Sequence, residues 1–67
     1  MATYLTPYIQ RIANDFRTVR PTKADQRRNP DIDVMAVWRD DIAHSARCQE
    51  LTPEQTEEFR RLCGDEN

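Results

Sequence analysis

LTPYIQRIANDFRTVRP, residues 5–21, decides the first element and with it the class of fold. Leu5-Thr6-Pro7 supplies an apolar residue, a hydroxyl N-cap and then a proline at the first helical position, where the missing N–H costs nothing. Behind this cap Tyr8, Ile9, Ile12, Phe16 and Val19 recur every three or four residues, the spacing of one helical stripe. Arg11 and Asp15 form an i,i+4 pair on the opposite face. Arg17 and Arg20 stand near the C-terminal end, where the helix dipole favours cations. Pro21 then ends the element by disfavouring helical backbone in the residue before it. A helix over about 6–19 follows.

The same opening returns in LTPEQTEEFRRLCG, residues 51–64. Here Gln55 adds the second half of a capping box. Phe59, Leu62 and Cys63 form the expected buried stripe, and Gly64 is a C-terminal stop. A helix over 53–63 results, with 64–67 a frayed acidic tail. The recurrence is confined to the cap, so it reflects shared capping chemistry and not an internal repeat.

Between the two lies a helix over about 30–48. Its start is marked by Asn29-Pro30 or, a few residues later, by Asp33. Val34, Met35, Trp38, Ile42, Ser45, Ala46 and Cys48 form its stripe, widened by Val37. Trp38, the largest apolar side chain available, is expected at the centre of the core. The connection before it, RPTKADQRRNP over 20–30, contains no apolar residue larger than Ala24. Residues 20–29 read as a basic loop, in which Thr22 and Asp25 can cap one short turn at most.

These elements predict an all-α fold, a small three-helix bundle forming one domain over 1–67. The short second connection makes its last two helices an antiparallel or angled hairpin. A chain of 67 residues has little core to spare. The last stripe, with Phe59 and Leu62 as its only large members, is expected to add little to it. At about 1.5–3 kcal/mol per fully buried large side chain, the first two helices carry most of the burden. A homodimer, or a partner protein, is the expected means of completing such a core.

With 37% hydrophobic residues the chain is too apolar for a disordered segment. It has no apolar run near the roughly 20 residues that a membrane helix requires. No basic-then-apolar leader follows Met1, so a cytoplasmic protein without membrane contact is expected. In an antiparallel hairpin Cys48 and Cys63 fall roughly 15 Å apart along the axis, at 1.5 Å per residue. That exceeds the reach of a disulfide, and two reduced, partly buried thiols are expected.

Charge divides the chain. Arg17, Arg20, Lys23, Arg27 and Arg28 face only Asp25, a balance of +4 over residues 17–28. Residues 50–67 carry −4, although the whole chain carries only −2. The basic segment is the candidate for nucleic-acid contact, since clustered cations neutralise phosphates and release counterions. A helix-turn-helix built from the last two helices is disfavoured. Its reading helix would present Glu54, Glu57 and Glu58 to a polyanion. Those carboxylates suit a basic protein surface instead. Tyr4 and Tyr8 lie at helical spacing beside Leu5 and Ile9, where core packing is the first expectation; with apolar bodies and hydrogen-bonding tips they are also candidate anchors for a partner at the edge of the first helix.

Catalytic and metal chemistry find little support. Asp40, His44 and Cys48 share a helical face, with Cys63 as a fourth donor to consider. The paired local ligands of a structural zinc site, CxxC or HxxxH, are missing. His44 and Ser45 are sequence neighbours on a helix and point apart, as do Asp40 and Asp41. The single glycine, Gly64, leaves no phosphate-binding loop. The sequence therefore predicts a non-enzymatic protein without metal or cofactor. Its expected role is that of a small regulator or inhibitor binding another protein through charged helical surfaces, with nucleic-acid binding through 17–28 as the alternative. Its size is shared by accessory regulators of the kind carried by phages and plasmids.

Overall fold

The computed structural model of the chain describes residues 4–65. Four helices occur in it: α1 over Pro7–Thr18, α2 over Lys23–Arg28, α3 over Val34–Cys48 and α4 over Pro53–Cys63. The three long ones are those expected from the sequence, and no strand occurs among the described residues. Thr6, Asp33 and Thr52 cap them, each accepting a hydrogen bond from the backbone N–H three residues on. Of the two starts considered for α3, Asp33 is the one used.

Their relative directions follow from a few long-range contacts. The side-chain amide of Gln55, in the first turn of α4, donates to the carbonyl of Tyr4 just ahead of α1 at 3.2 Å. Phe16 and Phe59 meet edge to face near the middle, with centroids 6.2 Å apart. Gly64, at the end of α4, lies against the side chains of Arg17 and Arg20. Helices α1 and α4 therefore run parallel. Helix α3 runs against both, because Trp38 near its start donates its indole N–H to the carbonyl of Phe16 at 3.0 Å. Arg39 likewise pairs with Asp65 beyond the end of α4, at 2.9 Å. The bundle is up, down, up.

Buried residues come from all three helices and the chain entering α1: Leu5, Ile9, Ala13, Trp38, Ile42, Ala46, Phe59 and Cys63. Trp38 is among them, but the largest fully buried side chains are Phe59, Ile42 and Cys63. The last helix is thus not the minor contributor its thin stripe suggested. It packs along α1 over most of its length and against α3 over a shorter contact. Its phenylalanine and thiol share the buried cluster with two small residues, Ala13 of α1 and Ala46 of α3.

Five members of the expected stripes are exposed, Tyr8 and Cys48 among them. Val19 is 66% exposed because it follows the last helical residue, at a height where α4 also stops. Val37 and Leu62 lie on the flanks of their helices and are exposed as well. The two thiols are free and differ sharply, Cys48 being exposed and Cys63 buried, where both were expected to be partly buried. Burial pushes the Cys63 thiol up to about 11, with the Asp65 carboxylate adding to the effect.

The connection over 20–29 is not a plain loop, since it holds α2. Thr22 and Asp25 form a complete capping box around its first turn. The backbone N–H of Thr22 donates to Asp25 at 2.8 Å, and Arg28 reaches the same carboxylate at 2.6 Å. These contacts hold the Asp25 carboxyl below the usual carboxylate range, the backbone N–H contributing most. Gln26 ties the segment onward, donating to the carbonyls of Asn29 and Ile32 and accepting from Val34 N–H. No residue from 20 to 33 is buried. The molecule measures 41 × 20 × 17 Å, while α3 spans only about 22 Å at 1.5 Å per residue. The α2 segment extends the bundle at one end.

Candidate functional site

The up-down-up order sorts charge by position. One half of the molecule holds the starts of α1 and α4, the end of α3 and the α3–α4 turn. In it Asp40, Asp41, Glu50, Glu54, Glu57 and Glu58 outnumber two cations, Arg11 and Arg47. The other half holds the ends of α1 and α4, the start of α3 and all of α2. The five cations of 17–28 are joined there by Arg39, Arg60 and Arg61, and are opposed by five aspartates. The acidic stretch in sequence is therefore cut in two by the fold. Glu50, Glu54, Glu57 and Glu58 belong to one pole, while Arg60, Arg61 and Asp65 belong to the other.

At the acidic pole Tyr4 and Tyr8 are each 63% exposed. Tyr4 borders a shallow groove between α1 and α4 that is lined by Leu5, Gln10, Glu58 and Leu62. Tyr8 borders a second groove, between the start of α1 and the α3–α4 turn, with Glu50 and Gln55 on its rim. The fold brings both tyrosines beside α4, a relation invisible in sequence because 51 residues separate Tyr4 from Gln55. Of the three glutamates singled out in α4, Glu58 is half-buried and paired with Arg61 at 2.9 Å. Glu54 and Glu57 are exposed, and no ion pair engages either among the described residues.

Glu50 was not foreseen as part of this surface. It occupies φ +55°, the only non-glycine residue at positive φ among those described. Its backbone N–H donates to Arg47 O at 3.0 Å, and that of Leu51 to Ala46 O at 3.1 Å, the Schellman pattern closing a helix. Helix α4 closes with the same pattern, but with Gly64 at the left-handed position. A sequence signal for Glu50 as a left-handed residue does not exist, since its identity argues against that conformation.

The basic residues are exposed but not uniformly available. Arg20 lies over the Trp38 ring, 5.7 Å from its centroid, and so closes the end of the core. Arg28 is held by Asp25. Arg17, Lys23 and Arg27 have no ion pair among the described residues, and none of the five cations pairs with the acidic segment 50–65. Asp65, in the stretch expected to fray, has its side chain only 9% exposed through its pair with Arg39.

Of the chemistry weighed on α3, His44 Nε2 and Cys48 Sγ lie 3.5 Å apart on the surface. Cys63 is buried in the core and does not join them. No group of three or more His, Cys, Asp or Glu with metal-binding geometry occurs among the described residues. No helix among them is long and apolar enough to cross a membrane. Comparison of the chain with protein-family models, curated proteins and solved structures gives no match.

Proposed function

We propose that the chain is a non-enzymatic binding protein, a small regulator or inhibitor that engages a basic protein surface through its acidic pole. The observation that carries this reading is the company kept by Tyr4 and Tyr8. Both rings are largely exposed, Tyr8 sharing a groove with Glu50 and Tyr4 one with Glu58, while Glu54 and Glu57 of the adjoining helix are exposed carboxylates without an ion pair among the described residues. Exposed tyrosines supply contact area at small entropic cost, and a ring of one charge sign steers and selects a partner of the other. Tyr8, Glu54 and Glu57 lie on helices of the bundle, which reduces the ordering required on binding.

The alternative is nucleic-acid binding through Arg17, Arg20, Lys23, Arg27 and Arg28. In its favour, α2 carries three of these cations on an extension with no buried residue. Against it, Arg28 is engaged by Asp25 and Arg20 by Trp38, and the same pole carries five aspartates.

Affinity capture of the tagged protein from its native cells separates the two. The protein-binding reading predicts a retained protein that survives nuclease treatment, is lost on Glu54→Lys with Glu57→Lys, and is unaffected by Arg27→Ala with Arg28→Ala. Retention that needs nucleic acid, falls steeply with salt and depends on Arg27 and Arg28 would favour the alternative.

A further inference from the structure

We infer that the groove between the start of α1 and the α3–α4 turn receives an arginine or lysine side chain from a basic segment of the partner. This rests on the protein-binding reading and gives it a contact point. The groove has a volume of about 360 Å³. Leu5 and Ile9, both buried, and the half-buried Leu51 form its apolar floor. Tyr8 and Glu50, both exposed, and the half-buried Gln55 line it as well. That combination matches a long cationic side chain, whose methylene stem packs on apolar surface while its charged head seeks a carboxylate. A tyrosine ring alongside adds a cation–π contact. An acidic or purely apolar occupant would leave Glu50 repelled or unpaired.

Glu50 separates this groove from an ordinary depression between helices. Helices α3 and α4 end in the same hydrogen-bonded motif, and α4 fills the left-handed position with glycine at φ +89°. Helix α3 fills it with glutamate at φ +55°. Glycine adopts that backbone freely, whereas a side chain there is strained. No ion pair or side-chain hydrogen bond engages the Glu50 carboxylate among the described residues, so the fold gains no contact in return. A residue placed at local cost, with its charge unused at the mouth of a groove, fits a role outside the fold.

The test is a titration of isotope-labelled protein with short capped peptides of alternating arginine and serine, lysine and serine, or glutamate and serine. Amide shifts are followed at low and at physiological salt. The expected result is saturable shifts at Leu5, Tyr8, Glu50, Leu51 and Gln55 with both cationic peptides and none with the acidic one. Glu50→Gly should weaken binding about tenfold, the loss of one charge-assisted contact, while raising the melting temperature by a few degrees. Glu50→Gln, which keeps the side chain without its charge, should weaken binding to a similar extent with little change in melting temperature. Shifts spread evenly over all the surface carboxylates, no shifts with either cationic peptide, or a Glu50→Gly protein that binds like the wild type would overturn the inference. If that last result came with capture abolished by the Glu54 and Glu57 reversals, the groove would be wrong and the protein-binding reading would stand. Peptide binding at the groove with capture indifferent to those reversals would leave the groove and remove the proposed partner surface.

Discussion

Phe59 and Cys63 of α4 are fully buried, whereas α2, with a cap at least as complete, buries nothing. The two regions show what each kind of interaction can achieve. In the bundle, apolar side chains from three helices share one volume, and removing any of them is felt by all. In the α2 segment, order comes from side chains bonding to nearby backbone: Thr22 with Asp25, and Gln26 with Asn29, Ile32 and Val34. Such contacts fix local shape without making the segment part of the cooperative unit. The result is an acidic pole on the packed bundle opposite a locally ordered basic extension.

Phe59→Ala should have the largest effect. Truncating a fully buried phenylalanine costs about 3–5 kcal/mol. A 67-residue domain has a total stability of about 3–10 kcal/mol at the usual share per residue. Circular dichroism should find this variant largely unfolded or melting far below the wild type. A variant that stayed fully folded would show that the bundle does not depend on α4 as its packing implies.

Cys63 comes next, through pH. Its thiol is raised from the ordinary 9 to about 11, so folding favours the protonated form. The associated stability is complete below pH 9 and is lost as pH rises through about 11. Two pH units correspond to about 3 kcal/mol as an order of magnitude. Denaturant melts at pH 8 and pH 11 should show this fall, and it should be absent in Cys63→Ala, which starts from a lower stability. At pH 8 a thiol reagent should modify Cys48 at once and Cys63 only as fast as the chain unfolds.

Trp38→Phe acts at the end of the bundle where α1 stops. It leaves the Phe16 carbonyl without the indole N–H and deprives Arg20 of its larger ring. A loss of about 1–3 kcal/mol is expected, read from denaturant melts. Asp25→Ala should be the smallest in global terms. Amide exchange in α2 should become fast while the melting temperature stays unchanged. Because folding lowers the Asp25 carboxyl, its contribution is present above the usual carboxylate value and is lost as pH falls through the lowered one. Protection of the α2 amides, taken relative to the intrinsic exchange rate at each pH, should be lost there ahead of that of α3. A drop in melting temperature for Asp25→Ala would place α2 inside the cooperative unit and dissolve the contrast.

The helices were readable because caps are local. Leu-Thr-Pro at 5–7 and again at 51–53 marks two starts without any tertiary information. The importance of α4 was not readable, because Phe59 shares its buried cluster with small residues such as Ala13 and Ala46, and alanines carry no periodic signal of their own. Val19 misled for a related reason: periodicity continues past the point where the helix and its neighbour end. The partition of charge along the chain was visible, but its partition in space was not. The parallel course of α1 and α4 puts Arg60 and Arg61 at the basic pole and Glu54 at the same pole as the tyrosines. Glu50 was hidden because its backbone state contradicts its residue type.

The whole site depends on that course of the chain, and Cys48 offers a direct way to test it. A nitroxide attached to this exposed thiol, with Cys63 buried and unlabelled, reports distances from the end of α3. Up-down-up packing predicts strong broadening of amides at the starts of α1 and α4, Thr6 to Tyr8 and Thr52 to Gln55, with Arg17, Arg27 and Arg61 nearly unaffected. Strong broadening at the ends of those helices, with their starts left sharp, would reverse one or both directions and dismantle the acidic pole.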